Sequence, residues 1–285
     1  MKKIKNFLKN NYIFIAFIRL YRILKKRFDV FIGRAILLKV SKSHHQNQLI
    51  SLGTEYGGWT FVNNESLNNS TIISAGLGED ASFDVEFASM FKSRVIIVDP
   101  TPRAINHFQE ITQKIGNLNT LNYPDSGALP VSSYNLSKIA QNQLILEEKA
   151  LWDSNDKIKF FEPPNPQHVS YSINNFQNNY SKTTDFIEVD SITISDLAKK
   201  FNLNVDEISL LKMDIEGAEI EVIDYLCNEK IYPKQLLIEF DELNRPSRKG
   251  ANRIREANLK LCKMGYTLIW KDDAADFLYV HDSLK

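Results

Sequence analysis

The sequence predicts an α/β fold with a mostly parallel sheet, because strand-like and helix-like segments alternate along the chain. An apolar run at residues 72–73 stops at Gly76 and Gly78, and residues 81–91 follow with apolar side chains at helical spacing. Residues 95–98 are β-branched throughout, which is typical of a strand buried on both faces of a parallel sheet. This order of elements is typical of half a nucleotide-binding site.

An acidic residue follows the second of these strands. Asp99 lies 23 positions after Gly76. In dinucleotide-binding folds, an acid about 20 positions after the glycine turn accepts hydrogen bonds from ribose hydroxyls. A 2′-phosphate would be repelled by this carboxylate, so the pattern disfavours NADP and leaves NAD and an adenosyl sulfonium open.

The glycine turn itself carries two acids, Glu79 and Asp80. Two carboxylates at a helix N-terminus oppose the binding of a pyrophosphate there, whereas a ligand with an ammonium and a sulfonium would be attracted. Alternatively, both acids lie in the first helical turn and complement the helix dipole.

Two later strands also end in acidic residues. An apolar run at residues 208–213 leads into Asp214 and a helix, and a run at residues 236–238 ends in Glu239. Because ligand crevices in open α/β sheets lie outside the carboxyl ends of the strands, these acids are expected to converge on the glycine turn. Alternatively, Asp214 is the N-cap of the helix that follows, with Glu216 complementing the helix dipole.

Three segments of the chain resemble the signature segments of the FkbM-type S-adenosylmethionine-dependent methyltransferases. They are ISAGLGEDASFD (residues 73–84), VDPTPRAI (98–105) and LLKMDIEGAE (210–219), in the order of that family. The likeness extends over about residues 71–280. It implies a Rossmann-like class I methyltransferase fold, with a mostly parallel seven-stranded sheet and a terminal antiparallel hairpin. Residues 266–270 and 277–280, separated by the polar turn KDDAAD, independently indicate such a hairpin.

The resemblance also implies where S-adenosylmethionine would bind. Its methionine part would lie against the glycine turn, its ribose against Asp99 and its adenine near Ala150. The expected cofactor-binding residues are Gly76, Gly78, Glu79, Asp80, Ser82, Asp99, Ala150 and Asp214.

Methyl transfer requires little beyond alignment of the nucleophile about 3–3.5 Å from the methyl carbon. A hydroxyl acceptor must also lose a proton, so a base within hydrogen-bond reach is expected. Asp214 and Glu239 are the leading candidates for this catalytic base. His168 is the third candidate, although it could equally be a solvated loop residue. Asp214 with Glu239 or Asp241 could also hold Mg²⁺, but nothing in the spacing demands a metal.

Residues 160–180, FFEPPNPQHVSYSINNFQNNY, form the predicted substrate-recognition segment. Its prolines disfavour regular structure, and aromatic and amide side chains alternate along the rest. Such a surface suits sugar rings and their hydroxyls, although an asparagine-rich surface loop without a special role has the same composition. A hydroxyl of a glycan, glycolipid or related natural product is the expected acceptor.

Charge is distributed unevenly along the 285 residues. Residues 1–42 hold 12 Lys or Arg and one acid, whereas the remainder has a net charge of −11. The remainder therefore has no basic patch that would indicate nucleic-acid binding. Residues 1–48 are predicted to be a basic amphipathic helical segment, and residues 49–285 the catalytic domain. The helix would lie on an anionic membrane surface, or pack on the catalytic domain or another subunit. Two cysteines give no disulfide framework and favour a cytoplasmic location.

The predicted function is therefore an O-methyltransferase that uses S-adenosylmethionine on a carbohydrate-type hydroxyl. An NAD-dependent oxidoreductase is the competing enzyme class, against which the acidic glycine turn and the lack of a Tyr-x-x-x-Lys pair argue. A non-catalytic, methyltransferase-like protein that binds a glycan or assembles with biosynthetic partners is a third interpretation.

Overall fold

The computed structural model describes residues 38–118, 123–124, 127–163, 171–175, 178, 181–244 and 246–284. Its strands are β1 (Leu49–Leu52), β2 (Trp59–Val62), β3 (Thr71–Ala75), β4 (Arg94–Val98), β5 (Leu144–Glu147), β6 (Ala150–Leu151), β7 (Lys157–Phe161), β8 (Phe186–Ile192), β9 (Leu211–Met213), β10 (Gln235–Glu239), β11 (Tyr266–Lys271) and β12 (Asp276–His281). Its α-helices are α1 (Ser82–Phe91), α2 (Pro102–Gln113), α3 (Ile194–Lys200), α4 (Glu219–Glu229) and α5 (Arg248–Lys263).

A seven-stranded sheet forms the centre of the described part of the chain, with the spatial order β11-β12-β10-β9-β3-β4-β5. The strands from β10 to β5 pair in parallel, and β12 runs antiparallel to both of its neighbours. The chain moves outwards from β3 to β5 and then crosses to β9 on the other side of β3. Open α/β sheets form ligand crevices at such a switch point. The predicted α/β fold with a mostly parallel sheet is confirmed.

Helices cover both faces of this sheet. Side chains alternate along β3, so that Ile72 belongs to the hydrophobic cluster beneath α1 and α2, whereas Ile73 belongs to the cluster beneath α3, α4 and α5. On the first face, Phe61 of β2 packs against Phe87 of α1, with ring centroids 5.4 Å apart. The rigid sheet therefore fixes the strand ends that carry the predicted site residues.

Two small sheets flank the central one. β1 pairs antiparallel with β2, and β8 lies between β6 and β7. Phe160 and Phe161 belong to β7, and Phe161 also bridges to Ser172. The predicted substrate-recognition segment therefore begins inside β7, where β8 provides a pairing partner, and Pro163 comes after that strand has ended.

The polar stretch at residues 41–48 packs against the outer strand of the sheet. The backbone N–H of Ser41 donates to the carbonyl oxygen of Leu268 in β11 at 2.9 Å, and His45 is buried. The division into residues 1–48 and 49–285 stays a prediction, and residues 1–37, with the predicted amphipathic helix, lie outside the described residues. Among the helices that are described, none combines the length and apolar character needed to cross a membrane.

Candidate active site

A cavity of about 560 Å³ opens at the carboxyl ends of β3, β4, β9 and β10. Every predicted cofactor-binding residue except Ser82 lies in its wall, and so does Glu239. The convergence expected from the strand ends is therefore present in the structure. His168 lies outside the described residues, so its candidacy as a base stays a prediction.

Gly76 directly follows β3 and lies against the backbone of Asp214, which directly follows β9. Its φ is +89°, and a Cβ atom on it would lie 1.8 Å from the carbonyl oxygen of Asp214. Lys212, which is buried, donates from Nζ to the carbonyl oxygen of Gly76. Only glycine fits this position without displacing the backbone that carries Asp214.

Asp99 holds the glycine turn in place. Its Oδ2 accepts hydrogen bonds from the backbone N–H groups of Leu77 and Gly78, at 2.9 and 3.0 Å. Its Oδ1 accepts from the backbone N–H and the hydroxyl of Thr101, at 2.8 and 2.7 Å. Both oxygens of Asp99 therefore already accept hydrogen bonds from the protein, so Asp99 shapes the turn, and its contact with a ribose stays a prediction.

Asp80 and Ser82 connect the glycine turn to the loop of residues 53–58, between β1 and β2. Asp80 Oδ2 accepts from the hydroxyl of Thr54 at 2.6 Å, and Ser82 Oγ accepts from the backbone N–H of Thr54 at 2.9 Å. Ser82 is fully buried and does not line the cavity. Ser82 therefore anchors this loop from behind the wall, and its predicted contact with the cofactor stays a prediction.

Glu79 forms an ion pair with Arg103 of α2, in which Arg103 Nε donates to Glu79 Oε1 at 3.1 Å. α1 begins at Ser82, and the acid in its first turn is Asp84. The alternative that Glu79 and Asp80 occupy the first helical turn is therefore wrong, because the helix starts after them.

The alternative that Asp214 caps the following helix is also wrong. α4 begins at Glu219, and Ala218 is its N-cap residue. The buried carboxylate of Glu219 accepts from the backbone N–H of Ile215 at 3.0 Å and from that of Gly217, so it satisfies the amides of this turn. Asp214 is left in the cavity wall.

Asp214, Glu239 and Asp276 form a carboxylate row across three neighbouring strands. Met213 pairs with Ile238 in parallel, so Asp214 and Glu239 follow side by side. Glu239 pairs directly with Asp276 of β12. Because neighbouring strands are about 4.8 Å apart, the row brings three acids together in the wall of one cavity.

The carboxylate row does not ionise fully at neutral pH. The charge of Asp214, together with burial, raises the pKa of Glu239 well above its usual value. Burial, with the charges of Asp272 and Asp214, raises the pKa of Asp276 to about 7. The row can therefore both accept and donate hydrogen bonds, since like charges at this spacing retain a proton.

The opposite end of the cavity is less polar. Ala150 and Leu151 of β6 lie in its wall with Phe160, Ile173 and Tyr171. The hydroxyl of Tyr171 donates to Glu162 Oε1 at 3.1 Å, which fixes the ring. This end has the apolar character that a flat heteroaromatic ring requires.

Two asparagines of the substrate-recognition segment bind backbone. Asn174 Nδ2 donates to the carbonyl oxygen of Gly217 at 2.8 Å, and Asn178 Nδ2 donates to that of Glu162 at 2.8 Å. The first bond holds the segment against the turn after β9, and the second links two parts of the segment itself. Residues 164–170 of the segment lie outside the described residues.

Comparison with known proteins decides the family. The model of the methyltransferase FkbM domain matches residues 63–268, which is well over half of the chain. The chain belongs to the FkbM methyltransferase family. Among curated proteins, none matches the chain significantly.

A crystal structure of methyltransferase FkbM from Methylobacillus flagellatus KT is similar to this FkbM-family chain over 77% of its length, with 14% sequence identity and a TM-score of 0.39. The match covers 48% of that protein, so this chain spans about half of its length. The family assignment rests on the match to the FkbM domain model.

Membership of the FkbM family supports a methyltransferase. No group of His, Cys, Asp or Glu side chains suited to a metal ion is present among the described residues, so Mg²⁺ has no support there.

Sequence reasoning missed several residues of this FkbM-family cavity. Tyr56, Trp59 and Asp276 line it, and none was a candidate. Lys212 also lines the cavity. The sequence could have indicated Lys212, because it is a charged residue inside an otherwise apolar strand, and Tyr56, because it precedes the glycine pair of EYGGW. Asp276 could be found only from the pairing of β12 with β10.

Proposed function

We propose that this FkbM-family domain transfers a methyl group from S-adenosylmethionine to a hydroxyl group of a carbohydrate, glycolipid or related natural product. The observation that carries the proposal is that the glycine turn and the carboxylate row lie in one cavity at the sheet's switch point. A cofactor site and a proton acceptor are thereby brought within reach of each other.

The residues present fit S-adenosylmethionine. The wall combines a glycine turn, whose Gly76 and Gly78 have positive φ, with the carboxylates of Asp80 and Asp214. This wall suits a cation and opposes a pyrophosphate, which argues for the sulfonium cofactor over NAD. When bound, S-adenosylmethionine supplies an electrophilic methyl group on its sulfonium. Asp99 would hold the ribose, and Ala150 would lie near the adenine.

The number and direction of the strands in the central sheet also support this assignment. In the described residues, the central sheet has seven strands, and β12 is its antiparallel member, paired with β10 and β11. A seven-stranded sheet with an antiparallel strand near the end of the chain is the arrangement that the family resemblance implies.

The carboxylate row supplies the proton chemistry of the chain. An acceptor hydroxyl loses a proton as it bonds to the methyl group, and an ionised carboxylate within hydrogen-bond reach can take that proton. The raised pKa of Glu239 means that Glu239 keeps its proton more readily than an ordinary glutamate. Asp214, beside it, is therefore the base that we propose, and Glu239 would donate a hydrogen bond that orients the acceptor.

The polar character of the cavity near the carboxylate row supports a hydroxyl-rich acceptor. Asn244 donates to Glu239 Oε1 at 2.9 Å and lines the cavity together with Asp241. Sugar hydroxyls both donate and accept hydrogen bonds, so they can bond to the polar atoms of this wall, which an apolar acceptor cannot do.

The test is transfer of isotope-labelled methyl from S-adenosylmethionine to a panel of sugar and amine acceptors. We expect label on oxygen, and a loss of about 100-fold or more in Asp214→Asn, the magnitude of a lost general base. Asp206→Asn changes an exposed acid on the Val205–Glu207 turn and is the matched control. Label on nitrogen, or full activity of Asp214→Asn, would contradict the proposal.

A further inference from the structure

Tyr56 stands at the mouth of the cavity. It lies in the loop of residues 53–58 and lines the cavity, although 67% of its surface is exposed. Its ring contacts Gly127 so closely that a Cβ atom on Gly127 would lie 2.8 Å from Tyr56 Cε1. Gly127 also lines the cavity, so the ring packs against a neighbouring part of the same wall.

Hydrogen bonds fix the loop of Tyr56 to the glycine turn. Thr54 donates from its hydroxyl to Asp80 and from its backbone N–H to Ser82 Oγ. The backbone N–H of Gly57 donates in turn to Thr54 Oγ1 at 2.8 Å. Two sides of the cavity, the glycine turn and the Tyr56 ring, are thereby held as one unit.

Carboxylates face the Tyr56 phenol from three chain segments. They are Asp80 of the glycine turn, Asp214 and Glu216 after β9, and Glu239 at the end of β10. Partial desolvation of the phenol and these charges raise the pKa of Tyr56 above its ordinary value, so the ring is uncharged at neutral pH, as an ordinary tyrosine is. A neutral aromatic face among carboxylates is an environment that attracts a cation.

We propose that the Tyr56 ring is the aromatic wall of the sulfonium subsite and favours the methyl-bearing cofactor over its demethylated product. The inference rests on the proposed function, which lays the cofactor between the glycine turn and Asp214. S-adenosylmethionine carries a positive charge on sulfur and S-adenosylhomocysteine does not, whereas their adenine, ribose and amino-acid groups are identical. A cation–π contact therefore strengthens binding of the first ligand only.

The test compares the dissociation constants of both ligands by calorimetry in wild type and in Tyr56→Leu, Tyr56→Phe and Tyr171→Leu. We expect Tyr56→Leu to lower the preference for S-adenosylmethionine by about two- to fivefold, the size of an exposed cation–π contact. Tyr56→Phe keeps the aromatic face and should keep the preference. Tyr171→Leu is the matched control at the Ala150 end, where both ligands carry adenine, so it should weaken both equally.

Two results would overturn the proposal. If Tyr56→Leu weakens both ligands equally, the ring provides shape and not charge recognition. If it weakens neither, the ring does not touch the cofactor. Binding of neither ligand to wild type would overturn the proposed function itself, and this inference with it, and is thus distinguishable from failure at Tyr56 alone. Because the side chain is largely exposed, the substitution leaves the core intact, and a thermal melt checks this.

Discussion

Asp214 and Glu239 lie side by side at the carboxyl ends of β9 and β10, one residue beyond the Met213–Ile238 pair. Asp276 continues the row as the direct partner of Glu239. The fold keeps three carboxylates on successive strands, each about one strand spacing from the next, at a cost in electrostatic repulsion. Such an arrangement is expected where proton transfer is needed, and its consequences can be measured.

The first consequence concerns stability and pH. A raised pKa means that folded Glu239 binds its proton more tightly than the unfolded chain does, so the stability from this group is present below the ordinary pKa of 4.5 and is lost as pH rises. Glu239→Gln has no proton to lose, so its stability should not fall with pH through this group. We expect a Tm above wild type at about pH 8, by roughly 2–4 °C for each 1 kcal/mol recovered, and no gain at about pH 4.

Thermal melts of Glu239→Gln across this pH range make the measurement. Glu188→Gln, which changes an exposed glutamate of β8, is the control and should follow wild type at every pH. A Tm difference for Glu239→Gln that does not change with pH would show that Glu239 titrates normally.

The second consequence concerns protons released on binding. A sulfonium placed near the carboxylate row lowers the pKa of its members, so S-adenosylmethionine should displace a proton that S-adenosylhomocysteine leaves in place. Calorimetry at about pH 8, in two buffers of different ionisation enthalpy, measures this proton count. We expect release with the first ligand, less with the second, and a smaller difference in Glu239→Gln. Equal release with both ligands would place the sulfonium away from the row.

Gly76 provides a steric test of the turn. A Cβ atom there would lie 1.8 Å from the Asp214 carbonyl oxygen, whereas Gly116 has nearly the same φ, +90°, with nothing within 4 Å of its Cβ position. Gly116→Ala thus isolates the backbone strain of about 1 kcal/mol. Gly76→Ala adds the clash, so we expect a clearly lower Tm and loss of cofactor binding. Equal effects of the two substitutions would show that the β3–β9 contact is looser than described.

Thr54 tests the anchor of the loop at residues 53–58. Thr54→Val removes the hydroxyl that donates to Asp80 at 2.6 Å while keeping the shape of the side chain. We expect a loss of about 1–3 kcal/mol in the free energy of unfolding, the range for a hydrogen bond to a charged group, and weaker binding of S-adenosylmethionine. Thr60→Val, which removes an exposed hydroxyl of β2, is the control. Unchanged binding by Thr54→Val would separate the loop from the cofactor site.

The parts of the site that sequence predicts well are those fixed by the alternation of strand and helix. Gly76, Asp99, Asp214 and Glu239 all follow predicted strands, and strand ends converge in a parallel sheet whatever their separation in sequence. The roles of Asp80 and Ser82 are harder to predict from the sequence, because both residues bind Thr54, which is distant along the chain.

Other features depend on topology that no local pattern encodes. Asp276 enters the carboxylate row only because β12 inserts between β11 and β10. Tyr56 reaches the cavity because its loop docks on α1 and the glycine turn. The hydrogen bonds of Asp99 to Leu77 and Gly78 likewise require β3 and β4 to be neighbours.

The most direct test of the central claim is a calorimetric titration of the full chain with S-adenosylhomocysteine and, separately, with NAD. It is repeated with Asp99→Ala and with Asp206→Ala as the exposed control. We predict binding of S-adenosylhomocysteine and not of NAD, weakened by Asp99→Ala alone, because Asp99 is the proposed ribose ligand and holds the turn. Binding of NAD without S-adenosylhomocysteine would contradict the methyltransferase account, and binding of neither would favour a non-catalytic role.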